Sequence, residues 1–495
     1  MQNPSPLEKV ILWFMPSVPV LVFIFVFSIT LYFMPLLLSG DGDLGRHLTV
    51  GNVILDTGRI PSKDIFSNSM PGAPFVPQEW LSEVLFALAH RLAGMNGVAW
   101  FTALVLASTF TTLTWGLGRM GVRAPVALAG GVTATVVSAL HALPRPHILT
   151  WLLFILFVLV LEDYRRHGRR RGLVVLPLLM LLWANLHGAF ISGLMLVLMY
   201  ALGAGMERDG RRVVTLLGLF ILLLVTSWIN PTGPELVANN VSYLRERFLI
   251  DMTVDFQSPN FHTMSTWPFA ALVLFSLLIT WAGSRKLTWT ALVLLAGWTA
   301  FGLYSARNIP LYALVAVVVL APPADDLLRE KVPAIASHLT WLDEMNRLSS
   351  GWIWSAVVVA LLIGLEFSGD RLDVWKAGND FNPKTFPAAA VDALKKSPPE
   401  GNMFNEFTWG GYLLYRLWPT KRVFIDGITD FYGEPLTRQY LQVERAEPGW
   451  ETILDRFDIR WVIVPTNCPL AAQLDQSLLW TEKYKDNVAG VWIRK

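Results

Sequence analysis

Long apolar runs recur along this chain, and they leave it one class of fold. A run from Val10 to Leu38 is followed by others beginning near Val98, Ala124, Ile148, Gly172, Phe190, Val213, Trp267, Thr288, Ile309 and Trp352. Each is long enough to cross a hydrocarbon core of roughly 30 Å, so hydropathy gives about eleven transmembrane helices. The first run is too long for the apolar region of a signal peptide and lacks a small-x-small cleavage site, so it reads as a retained span. With 53% hydrophobic and 16% charged residues, the chain is too apolar for an ordinary soluble protein. A formal net charge of +2 gives no global pull toward nucleic acid. The single cysteine, Cys468, excludes an internal disulfide framework and a cysteine-built metal cluster.

Lysine and arginine resist translocation, so the basic loops set the orientation. "GRMGVRA" (Arg119, Arg123), "EDYRRHGRRRG" (Arg165 to Arg171), "ERDGRR" (Arg208, Arg211, Arg212) and "GSRK" (Arg285, Lys286) fall at every second connection. All four face the cytoplasm if the N-terminus is inside. The other connections then face outward, and they carry the unusual polar clusters: "GDGDLGRH", "ALPRPH", "WANLHGAF", "INPTGPE", "DFQSPN" and "YSARNIP". The stretch from Pro322 to Ser350 is amphipathic and reads as a cytoplasmic connector lying along the membrane.

Residues 1–367 therefore form a transmembrane module, with a first outer loop at 39–97, and residues 368–495 a separate outer segment. That segment alternates turn signals with short β-rich runs, "RVFID" (Arg422 to Asp426) and "IRWVIVP" (Ile459 to Pro465). Helices are expected between them, around Glu434 to Glu444 and Trp450 to Phe457, which makes a small α/β domain. In the first outer loop an amphipathic helix is expected from about Gln78 to Leu92, lying in the interface with Glu79 and Glu83 on its wet side.

The stretches "DGDLGRHLTVGNVILDTGRIPSKDIFS", "QEWLSEV", "LPRPHILT", "WANLHGAF", "WGGYLL" and "VFIDGITDFYG" resemble the GT-C superfamily of integral-membrane glycosyltransferases, and within it a bacterial subfamily. The resemblance implies a multi-pass protein of the bacterial inner membrane with an outer C-terminal domain. It implies an enzyme that takes sugar from a polyprenyl-phosphate-linked donor and passes it to an acceptor protein, lipid or glycan.

Such a transfer uses a carboxylate to orient or deprotonate the acceptor, and Asp41 and Asp43 fit. The D-x-D pair could instead share a divalent cation such as Mg2+ or Mn2+, and no other cofactor is called for. The structural alternative is that one of the two N-caps the helix beginning near Leu44. Arg145, His147, Arg307 and Asn308 top outer span ends and suit a phosphate, although arginine also snorkels to that level. Arg46 and His47 share the acidic loop and could pair with Asp41 or Asp43. Asn185 and His187 break an apolar run, where an unpaired polar group is costly, so each needs a partner in substrate or in another helix. Asp255 is a second outer acid.

No Walker-type loop and no H-E-x-x-H zinc motif is present. A secondary transporter or lipid flippase would place polar residues near the midplane with repeat symmetry, whereas here they gather at one face without a repeat. A non-catalytic envelope-assembly scaffold with the same architecture is the other alternative, against which an intact pair of aspartates counts. Thiol labelling of intact cells checks the topology. Cys468 and a cysteine introduced beside Asp43 should react with an impermeant reagent and one placed at Arg169 should not; an unreactive Cys468 in that assay breaks the odd span count.

Overall fold

The computed structural model describes residues 11–40, 42–243, 245–283, 286–367 and 379–495. Eight of its helices are long and apolar enough to cross a membrane: Val18–Leu38, Trp80–Arg119, Ala124–His141, His147–His167, Gly188–Met206, Gly210–Ser227, Met264–Ala282 and Ala306–Lys331. The three remaining expected spans are helical but shorter, at Val175–Leu186 (12 residues), Trp289–Tyr304 (16) and Ile353–Phe367 (15).

Burial sorts these helices. The helix Ile309–Lys331 is the axis of the bundle, with an unbroken buried run from Ile309 to Ala321. Its neighbours include Ala124–Ser138, Trp267–Ala282 and Trp289–Tyr304. Gly210–Ser227 lies at the periphery and exposes Leu217, Ile221, Leu222 and Val225, as a lipid-facing helix must. At the end expected to be cytoplasmic, Arg123 Nε donates to Asp325 Oδ1 at 2.7 Å and Asp343 Oδ1 caps the Ala124 amide at 2.9 Å. The expected connector at 322–350 is not a loop along the surface from its start: the axis helix continues through Pro322 and Pro323 to Lys331, and a second helix follows at Pro333–Leu348.

The expected interfacial helix runs from Trp80 and meets the next span at a kink, where Ala93 and Gly94 leave helical geometry. Its Glu83 is buried rather than wet. The segment ahead of it forms the helix Leu44–Thr57, packed both on this helix and on the C-terminal helix Gly410–Leu417.

The C-terminal domain, described from residue 379, carries four strands: β1 (Asn402–Asn405), β2 (Ile459–Pro465), β3 (Trp480–Lys485) and β4 (Ala489–Arg494). Their order is β1-β2-β4-β3, with β1 and β2 parallel and the remaining pairs antiparallel. The crossover from β1 to β2 contains the helices Gly410–Leu417, Thr429–Glu444 and Trp450–Arg456. β2 is buried on both faces: Val462 and Val464 pack with Phe404, Tyr440 and Trp492, whereas Trp461 and Ile463 join the cluster that extends into the membrane module.

The segment Arg422 to Asp426, expected as a strand, is not one. Among the described residues its one bridge pairs Val423 with Ser67 of the loop that follows the first span. Val423 N donates to Phe66 O, Asn68 N donates to Val423 O, and Ser69 Oγ donates to Phe424 O. On the other side Asn405 takes the place of a ladder partner, accepting from Phe424 N at 2.7 Å and donating to Ile425 O at 2.9 Å. A run this apolar must hide its backbone polar groups, and the first loop satisfies them.

Glycines let the two halves meet. A methyl group on Gly411 would strike the Gly42 carbonyl, and one on Gly45 would strike the Gly411 carbonyl. Gly411→Ala should therefore cost about 1–3 kcal/mol through forced separation of backbones. Thermal unfolding of the purified protein reads this, and an unchanged transition would mean that the loop and the C-terminal domain do not interlock.

Candidate active site

Three segments at one end of the bundle bring opposite charges together. Asp43 precedes the helix Leu44–Thr57 but makes no capping hydrogen bond; its Oδ2 lies 3.2 Å from Arg145 Nη1. Arg145 stands between two prolines at the head of the helix His147–His167. Its Nη1 also lies 3.8 Å from Asp255 Oδ2, on the short turn Val254–Phe256, and Asp255 Oδ1 lies 4.0 Å from His141 Nδ1. Asp43, Asp255 and Arg145 all remain partly exposed, so the group is open to solvent. The floor under Asp43 comes from the C-terminal domain, because any side chain on Gly427 would collide with its carboxylate.

A second group surrounds His187. Trp183 Nε1 donates to Thr150 Oγ1 at 2.9 Å, and Thr150 Oγ1 lies 2.9 Å from His187 Nδ1, which also accepts from the Ala189 amide. On the opposite edge, Glu79 Oε1 lies 3.2 Å and Arg307 Nη2 3.1 Å from His187 Nε2. Arg307 rests over the Phe256 ring at 5.0 Å. His47 Nδ1 approaches Glu83 Oε1 at 3.4 Å and Glu79 Oε2 at 3.8 Å. The His147 ring lies 6.5 Å from His187, with its Nε2 on the His141 carbonyl at 2.6 Å, and so links the two groups.

Burial and charge act together on these residues. Burial opposes charge on His47, but its hydrogen bond with Glu83 and the charges of Glu79, Glu83 and Asp43 outweigh that, and its pKa is raised. Burial drives Glu79 up to about 7, against the opposing pull of His47 and Arg307. Burial also raises Asp430, although the amides of Gln78 (2.7 Å) and Asn239 (3.4 Å) donate to its Oδ2.

Several expected site residues are occupied internally. Arg46 does not pair with the acidic loop: its Nη1 makes a fully buried ion pair at 2.5 Å with Asp426, and its guanidinium is flanked by Phe66 and Phe75. The helix turns Arg46 away from Asp43 and toward the C-terminal domain. His47 faces Glu83 and Glu79. Asn185 accepts from Trp80 Nε1 and donates to the carbonyls of Leu181 and Ile229, each at 2.9 Å, so helix contacts satisfy it. Asn308 donates to the Phe301 carbonyl at 3.2 Å. Asp41 lies outside the described residues, and so does the test of a cation shared with Asp43. Among the described residues no group of three or more His, Cys, Asp or Glu is arranged to hold a metal ion, and Asp43 and Asp255 both face Arg145.

Sequence reasoning missed Glu79, Glu83, His141, Asp426 and Asp430 as members of this region. The "VFIDGITD" and "QEWLSEV" stretches carried the signal, acids set in otherwise apolar or turn-rich segments.

No family model matches the sequence, and no curated protein matches it. Solved structures do share its fold. The archaeal oligosaccharyltransferase AglB from Archaeoglobus fulgidus, in complex with an inhibitory peptide and a dolichol-phosphate, superposes with a TM-score of 0.58 at 10% identity, covering 90% of this chain and 69% of that one. The apo form of the Archaeoglobus fulgidus oligosaccharyltransferase gives 0.56 at 11% identity, with the same coverage. The form with Zn and sulfate gives 0.55 at 11% identity, covering 90% and 68%. The fold is thus GT-C-like, a helical membrane module with an appended C-terminal domain.

Removing one partner of a buried ion pair strands the other charge, at a cost of about 3–5 kcal/mol. Asp426→Asn should lose this much in chemical unfolding, and the apolar double variant Arg46→Met, Asp426→Leu should regain most of it. A single variant as stable as the parent would show that the pair does not hold the loop to the domain.

Proposed function

We propose that this chain is an integral-membrane glycosyltransferase that moves a sugar from a polyprenyl-phosphate-linked donor to an acceptor on the outer face of a bacterial inner membrane. The observation that carries the reading is Arg145 set between Asp43 and Asp255 at one end of a GT-C-like bundle. Glycosyl transfer calls for this juxtaposition of charges. The acceptor hydroxyl or amide attacks the sugar carbon C1, the bond from C1 to the phosphate oxygen breaks, and the electron pair leaves on the lipid phosphate with inversion at C1.

Guanidinium groups beside the leaving phosphate offset the charge that develops there. Arg145 takes this role at one edge of the site and Arg307, seated over Phe256, at the other. Asp43 orients the acceptor for attack. The peripheral helices expose apolar surface along which a polyprenyl tail can lie. The oligosaccharyltransferase of the same fold has been captured with a dolichol-phosphate and an inhibitory peptide, which supports a lipid-phosphate donor and makes a peptide the first acceptor to try.

The test uses purified protein, farnesyl-phosphate-linked hexoses as donors and farnesyl phosphate as the binding probe. Asp43→Asn should lower turnover about 100-fold or more while farnesyl-phosphate affinity stays within a few-fold. Arg145→Lys should weaken that affinity about tenfold or more, because a planar two-pronged phosphate contact is lost. Undiminished turnover in Asp43→Asn removes this residue from the chemistry and moves the role to Asp255.

A further inference from the structure

The side chains around His187 set its ring beside a carboxylate that the acidic loop does not supply. The indole N–H of Trp183 can only donate, so Thr150 Oγ1 accepts from it, and the same hydroxyl lies 2.9 Å from His187 Nδ1. The Ala189 amide, also only a donor, aims at the same nitrogen. Nδ1 is therefore an acceptor, and the imidazole is neutral with its hydrogen on Nε2. Glu79 Oε1 lies 3.2 Å from that nitrogen. Arg307 Nη2 lies 3.1 Å from the same nitrogen.

Glu79 is thus gripped from several sides and still open. His187 Nε2 lies 3.2 Å from one oxygen, and His47, on the helix Leu44–Thr57, faces the other at 3.8 Å. Yet its side chain keeps 23% exposure, against 4% for Glu83 one turn along the same helix. Glu83 already balances His47, so a second buried acid serves no packing need. The remaining charged groups acting on Glu79 are Arg307 and Asp430, the latter bonded to the neighbouring Gln78.

We propose that Glu79 is a catalytic carboxylate of this site, the group that takes the proton from the attacking acceptor. The proposal rests on the transferase reading above. As the acceptor oxygen or nitrogen bonds to C1 and the C1–phosphate bond breaks, the acceptor proton passes to Glu79, and the phosphate departs with the bonding electrons. Asp43, already facing Arg145, orients the acceptor; Glu79 has its proton-accepting oxygen presented by an oriented imidazole. Its ionisation near pH 7 suits it to exchange a proton at neutrality.

The sign follows directly: a base acts when deprotonated, so turnover should rise as pH passes upward through about 7 and then level off. With farnesyl-phosphate-linked hexoses as donors, isosteric Glu79→Gln should abolish this rise and lower turnover about 100- to 10,000-fold, with farnesyl-phosphate binding and thermal unfolding close to those of the parent. Glu79→Ala should regain turnover on addition of formate, which a structural role does not predict. Parent-like turnover in Glu79→Gln, or the same rise with pH in that variant, overturns the proposal and leaves the transferase reading standing. A parent protein that turns over none of the hexose donors counts against the transferase reading itself. In that event the infrared spectrum decides for Glu79: a protonated-carboxyl band that titrates near neutrality, is absent in Glu79→Gln and shifts with farnesyl phosphate supports a ligand-facing acid, and its absence from the parent overturns one.

Discussion

The buried pair of Arg46 and Asp426 joins residues 380 positions apart in the chain, and the position of the outer site depends on it. A charge with no access to water must meet its counter-charge, so the helix that begins just after Asp43 cannot turn about its axis or slide along the C-terminal domain. The glycines beside it remove the bulk that would hold the backbones apart. Asp43 is thereby delivered to Arg145 with Gly427 beneath it, and the C-terminal domain becomes one wall of the site.

The membrane module supplies the opposite wall. The axis helix Ile309–Lys331 is packed on nearly every side at its outer half, and Arg307 sits on the turn that leads into it. His187 occupies the break between two helices, with its ring set by Trp183 and Thr150 from the bundle core. Close packing of this kind passes little freedom to the side chains it carries. The two walls therefore present their polar groups from rigid supports, and Glu79, at the head of a helix packed on both, lies at the seam. The Arg123–Asp325 pair restrains the bundle at the opposite end.

Hydropathy determined that the chain would be a helical bundle, because a lipid-exposed backbone has no other way to satisfy its hydrogen bonds. It also placed each expected span on a helix, although length alone qualifies only eight of them. Strand β2 was legible as a run of β-branched residues, and so was the clustering of polar motifs at one set of connections. Asp43, Arg145 and Asp255 could be named as candidates because they fall in polar motifs gathered at one set of connections.

The pairing of those candidates was not legible. Residue type says that Arg46 needs an anion, but which one depends on the direction its helix turn faces, and only packing against the C-terminal domain decides that. The segment Arg422 to Asp426 has a strand's composition, and the first outer loop captured its hydrogen bonds before a sheet could. Glu79 and Glu83 have the spacing of a wet helix face and are turned inward by His47 and His187, which arrive from other segments. Local sequence thus determined which residues are costly to leave alone, since that cost belongs to each side chain and its medium. Tertiary structure decided who meets whom, because partners far apart in sequence become neighbours only when the outer loop, the span ends and the C-terminal domain close on one another.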